Sequence, residues 1–157
     1  VKKNKINKNK LLKAKIRKML RTLDMKFIRY LNLFEKITRV RSEHCFLYSS
    51  TIVFLVPRHF ISRALGEGGK NIRRLSEILE KKAKVIAVPC GIGDLNNFVR
   101  AIIYPIKVKS IGIKDSGVVI SAGLQSRASL IGRNKSHLQE MEEILKQYFG
   151  VKEVRIK

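Results

Sequence analysis

The chain has no tryptophan, two cysteines, three prolines and only 12 acids in 157 residues. Two thiols, Cys45 and Cys90, cannot build a disulfide framework, so a reducing compartment, the cytoplasm, is expected. No apolar run nears the roughly 18 residues of a membrane span. The basic N-terminus lacks the unbroken apolar core of a signal peptide, so neither a leader nor a membrane association is expected. His44, His59 and His137 share no ligand spacing with the thiols, so no metal and no other cofactor is expected. There is no nucleophile–base pair and no P-loop ending in Lys-Ser/Thr, which argues against catalytic residues and an enzyme. The scarce acids lie mostly beside bases, as across Ser76 to Lys82, where i,i+4 pairing accounts for them. Against them stand 34 Lys and Arg, a net charge of +22. Self-repulsion of that size calls for a polyanionic partner, nucleic acid first and an anionic membrane surface second.

The chain is organised around Ala64-Leu65-Gly66-Glu67-Gly68-Gly69-Lys70-Asn71-Ile72. Gly66 suits a helix stop in the left-handed conformation. From Lys70 the apolar residues Ile72, Leu75, Ile78 and Leu79 recur at helical spacing, so a second helix opens directly after the glycines. A bare turn feeding a helix leaves N–H groups pointing at solvent, which favours an anion such as phosphate. Lys70 and Arg73 put positive charge in the first turn, where helix stability alone would favour acids. A tight helix–helix turn is the plainer reading of such glycines, but the pattern recurs. A shift of 66 residues lays Leu65-Gly66 over Ile131-Gly132, Leu75 over Met141, Leu79 over Leu145, Ile52-Val53-Phe54 over Val118-Val119-Ile120, and Val88 over Val154. Two copies of one unit are therefore expected, packed on each other or sharing a rigid junction, because each alone has a marginal core.

Residues 1–24 hold ten Lys or Arg and one acid. They read as a basic, flexible extension, its second half an amphipathic helix suited to following a phosphate backbone. A helix is expected over Met25 to Val40, its face made of Phe27, Ile28, Leu31, Phe34, Ile37 and Val40. Strands are expected at Cys45–Tyr48 and Thr51–Val56, helices at Arg58–Leu65 and Lys70–Lys82, and a strand at Lys84–Val88. Pro89 to Gly93 is a short, stiff junction. The order repeats with a helix capped by Asp94 and running to Ile103, and strands at Ile106–Ile113 and Val118–Ala122 around a turn at Asp115-Ser116-Gly117. Helices at Gln125–Ile131 and Ser136–Phe149 and a strand at Val151–Ile156 complete it.

Helices joined by a G-x-x-G loop and flanked by strands in this order resemble the type II K-homology (KH) domain. Gly66-Glu67-Gly68-Gly69 matches the loop, and Leu65 and Ile72 match its apolar flanks. Two such units after a helix such as Phe27 to Thr38 resemble the short archaeal NusA family of transcription factors. The resemblance implies an α+β fold of two tandem type II KH domains, each α-β-β-α-α-β, at 25–90 and 91–157, after a basic extension. It also implies a groove holding about four nucleotides of single-stranded nucleic acid per unit.

On that reading the first site comprises Arg58, Arg63, Gly66, Glu67, Gly68, Gly69, Lys70, Asn71, Arg73 and Arg74. Bases would lie in an apolar groove between the second helix and the last strand. The second site comprises Arg127, Gly132, Arg133, Asn134 and Lys135. There Asn134 and Lys135 replace the small third residue and the final glycine, so weaker, more salt-sensitive binding is expected. The function implied is that of a monomeric factor that binds single-stranded nascent RNA, possesses a possible contact with RNA polymerase, and modulates elongation or termination. The rival is a ribosomal or ribosome-assembly protein that binds rRNA.

Overall fold

The computed structural model describes residues 24–42 and 44–157. The reading of the basic extension therefore lies outside the described residues, apart from Asp24. Helix α1 (Asp24–Thr38) forms because Phe27, Tyr30, Leu31, Phe34 and Ile37 fall on one stripe. Phe34 is fully buried and stacks on Phe54 with ring centroids 4.4 Å apart. Ile28 is 49% exposed, contrary to the expected face. One residue beyond Phe27, it is turned about 100° off the stripe. Thr38 closes the helix: its Oγ1 donates to the Phe34 carbonyl at 2.7 Å and accepts the Val40 N–H at 3.1 Å.

Strands β1 (His44–Tyr48) and β2 (Thr51–Val56) form a hairpin, and β3 (Ala83–Ala87) joins β2 in parallel. Between β2 and β3 run a 3-10 turn (Arg58–Phe60), α2 (Ile61–Leu65), the glycine loop and α3 (Lys70–Leu79). The order then repeats as α4 (Leu95–Ile103), β4 (Ser110–Lys114), β5 (Gly117–Ser121), α5 (Leu124–Ile131), α6 (Ser136–Phe149) and β6 (Glu153–Ile156). The result is an α+β fold with two mixed three-stranded sheets, β1-β2-β3 and β4-β5-β6, consistent with a KH-type domain.

The repeat is exact through most of the unit. Both hairpins turn on two positive-φ residues, Ser49 and Ser50 (φ 50° and 61°) and Asp115 and Ser116 (φ 50° and 63°), as two-residue hairpins require. Gly117, expected in the turn, is the first residue of β5. The register fails in the last strand. Ile52 faces Ala83 whereas its counterpart Val118 faces Val154, and most of this offset comes from α6, which is 14 residues long against 10 in α3. Val154 therefore corresponds to Ala83 and not to Val88.

Three further expectations are corrected. Helix α3 stops at Leu79, not Lys82, because Glu80 turns left-handed (φ 54°, ψ 30°). Lys81 thus leaves the helical face of Glu77, and the i,i+4 pairing expected there does not form. The strand expected from Ile106 begins only at Ser110; Ile106 and Val108 pack on the core from a loop, which imitates strand alternation. Asp94 stands at the N-cap position of α4 as expected but makes no capping side-chain bond: its Oδ2 accepts the Cys90 N–H at 2.8 Å, and a 3-10 turn leads into the helix.

The core explains why β2 is apolar at every position from Ile52 to Val56. Ile52, Phe54 and Val56 pack with Tyr30, Phe34, Ala64 and Leu75, beneath α1, α2 and α3. Val53 and Leu55, on the opposite face, join Ile86, Leu95, Phe98, Ile120 and Leu145 in a second cluster that spans both copies. The first sheet is thus covered on both faces. In β5 only Val118 and Ile120 are buried, the alternation of a sheet covered on one face. Polar bonds reinforce the seam. Lys84 Nζ donates to the carbonyls of Ala101, Ile102 and Tyr104 at 3.1, 3.0 and 2.8 Å, at the C-terminal end of α4. Glu140 Oε2 on α6 accepts the Ser49 N–H at 2.8 Å.

Candidate nucleic-acid interface

Two loops of the same shape project from this frame. Gly66 has φ 76°, ψ 171°, and Gly132 has φ 71°, ψ 175°. Neither is in the left-handed helical conformation expected of a helix stop. Both occupy a region that a Cβ essentially forbids, a stricter demand for glycine. Two residues on, Gly68 (φ 60°, ψ 22°) is matched by Asn134 (φ 56°, ψ 32°). Gly69 (φ 73°, ψ 19°) is matched by Lys135 (φ 60°, ψ 23°), and α3 and α6 start at the next residue. The second loop keeps the left-handed pair without glycine there; asparagine tolerates that conformation, lysine less so.

A second contact fixes each loop. A Cβ on Gly66 would lie 2.8 Å from Cγ and Nδ2 of Asn71, and a Cβ on Gly132 would lie 2.6 Å from Cγ of His137. These partners occupy the same register position, one residue into the helix after the loop. Each reaches back to the helix before it: Asn71 Nδ2 donates to the Arg63 carbonyl at 3.4 Å, and His137 Nδ1 lies 2.8 Å from the Ser129 carbonyl. With a carbonyl as partner, that nitrogen must carry the proton. Asn71, expected to contact RNA, has its amide turned onto the protein. His137 was not singled out by the sequence reading, although the 66-residue shift from Asn71 falls on it.

The outer side of the first loop is open. Glu67 and Gly68 are exposed, and a Cβ on Gly69 would meet nothing within 4 Å. Arg73 folds back from α3, with Nη2 4.0 Å from where a Gly68 Cβ would stand. Lys70 and Arg74 are exposed on α3 and Arg63 on α2, while Arg127, Arg133, Asn134 and Lys135 are exposed about the second loop. Among the described residues only two ion pairs form, Arg155–Glu153 at 2.9 Å and Arg58–Asp94 at 4.0 Å. The cations at both loops are therefore uncompensated at short range.

Beside the first unit lies an apolar cleft. It runs between Arg58 and Ile61, the Val85–Val88 segment of β3 and its extension, and Asn97, Phe98 and Ala101 on α4. The cleft adjoins the last strand of the first unit, and its helical wall comes from α2 and not from α3. Its far side belongs to the second copy, which the sequence reading did not foresee. Since β3 is an edge strand, one row of its backbone groups is unpaired by the sheet.

No protein-family profile matches the chain. Curated relatives do. A protein of Methanocaldococcus jannaschii named "Probable transcription termination protein NusA" is 26% identical over 130 residues, 80% of this chain and 69% of that protein. Proteins of the same name from Methanococcus vannielii and Thermoplasma acidophilum are each 26% identical, over 85% and 87% of this chain and 78% and 95% of their own lengths. Among solved structures, the crystal structure of APE1850 superposes with a TM-score of 0.57 at 26% identity, covering 83% of this chain and 96% of that one. The chain is NusA-like: it is similar over most of its length to archaeal proteins named probable transcription termination protein NusA.

Proposed function

We propose that the chain is a pair of tandem type II KH domains, at 25–90 and 91–157, that holds single-stranded RNA and acts as a non-catalytic factor in transcription elongation or termination. The observation that carries this reading is the shared backbone of the two loops, each open outward and each opening a helix. Amides in that geometry suit a phosphate, and glycine at 68 and 69 lets a sugar–phosphate backbone approach without obstruction. Arg73, Lys70 and Arg74 supply the charge at the first loop, and Arg133 and Lys135 at the second. Bases entering the cleft beside β3 would stack on its apolar floor and meet the free backbone edge, with Asn97 and Arg58 as side-chain readers. Termination proteins among the relatives, together with a +22 charge, favour nascent transcript as the RNA and a cytoplasmic setting, with polymerase as a further partner.

The test is fluorescence anisotropy with a labelled single-stranded oligoribonucleotide. Gly68→Asp with Gly69→Asp puts two anions on the open face and is expected to weaken binding at least about tenfold. Lys135→Ala is expected to weaken it less and to flatten the salt dependence by about one contact. Unchanged affinity in the double glycine variant overturns the reading. Polymerase subunits that remain in a nuclease-treated pull-down support the transcriptional role, and their loss removes it.

A further inference from the structure

Asn71 and His137 stand at one register position and do the same structural work. Each is seated against the first loop glycine, and each bridges to a carbonyl two residues before the end of the preceding helix, Arg63 or Ser129. They act as clasps that hold the loop against its two helices. An amide clasp has one charge state across the physiological range. An imidazole clasp has two, because the nitrogen it uses donates a proton whether the ring is neutral or charged. Protonation therefore leaves the Nδ1–H bond to Ser129 in place and adds a positive charge beneath the loop.

We propose that His137 is a positioning residue that makes anion binding at the second loop pH-dependent, while the first loop, clasped by Asn71, is not so tuned. This rests on the RNA-binding reading given above. Every element around the ring bears on it. Helix α5 carries Ser129, its partner, and Arg127; the loop carries Arg133 and Lys135. Strand β1 presents Tyr48, whose ring centre is 5.9 Å from that of His137. Tyr48 is buried and stays neutral throughout the range in question, its pKa pushed up to about 12 by burial and by Glu140. On α6 itself the nearby acid is Glu140, whose carboxylate is engaged by the Ser49 amide. A bound phosphate favours the charged ring, so ligand and proton bind with positive linkage.

The experiment uses the full chain with Gly68→Asp and Gly69→Asp, so that residual binding reports the second loop. Anisotropy with a labelled single-stranded oligoribonucleotide is read at pH 5.5, 6.5 and 7.5 at fixed salt. Affinity is expected to rise about three- to tenfold from pH 7.5 to 5.5. His137→Asn, which installs the clasp of the first loop, is expected to abolish most of that slope while leaving affinity at pH 7.5 within about twofold. The converse chain, with Asn71→His and with Asn134→Asp and Lys135→Asp at the second loop, is expected to gain a slope at the first. A slope that survives His137→Asn overturns the inference and leaves the RNA-binding reading standing. Failure of the unsubstituted chain to bind at any of these pH values overturns both.

Discussion

Lys135 holds a left-handed conformation that glycine would adopt freely, φ 60° and ψ 23°. A non-glycine residue in that state costs about 1–2 kcal/mol. Lys135→Gly should therefore raise stability by about 1 kcal/mol in urea titration while weakening the RNA binding proposed for the second loop, which would separate conformational strain from charge. Gly132→Ala should do the opposite at the level of folding. A methyl group there meets the His137 ring 2.6 Å away and a forbidden backbone, so a loss of about 2–3 kcal/mol is expected in the same titration. At this scale the sequence was partly legible. Helical punctuation revealed Gly66 and the charges after it. The clasps were hidden because a side chain that turns back onto its own loop leaves no periodic trace, and only comparison of the two copies exposes it.

Among elements, β3 and α4 are tied by one side chain. Lys84 donates to three carbonyls where α4 ends, and burial lowers its pKa from the ordinary 10.5. Lys84→Met keeps the apolar stem and removes the donors, and about 1–2 kcal/mol should be lost, measured by thermal unfolding. Strand and helix identities were readable from apolar spacing because their cores are periodic. Their ends were less so. Helix α3 is ended by Glu80 in a left-handed turn, a conformation for which glutamate gives no compositional signal. The uninterrupted Ile52-Val53-Phe54-Leu55-Val56 run did announce a buried strand, but not that its two faces serve different helices.

Across the whole molecule, the two copies share one apolar cluster, so unfolding should be a single cooperative transition by circular dichroism and by tyrosine fluorescence alike. Residues 25–90 expressed alone would leave Tyr48, Val53, Leu55 and Ile86 uncovered and should bind a hydrophobic dye. Burial in the two clusters also has an alkaline signature. Burial pushes the Cys45 thiol from 9.0 to about 12, and Tyr48 and Tyr148 from 10.0 to about 12. These acids stay neutral in the folded chain at pH values where the unfolded chain ionises them. Their contribution is whole below pH 9 and is lost as pH rises from 9 to 12. Denaturant midpoints should fall across that window, and fall less in Tyr148→Phe.

A strand clad on both sides also turns the pair of loops into a gauge. With both copies packed into one cluster, an RNA strand bound as proposed either reaches from one loop to the other or does not. Affinity plotted against oligonucleotide length should accordingly climb in a step, where a hinged pair would give a ramp.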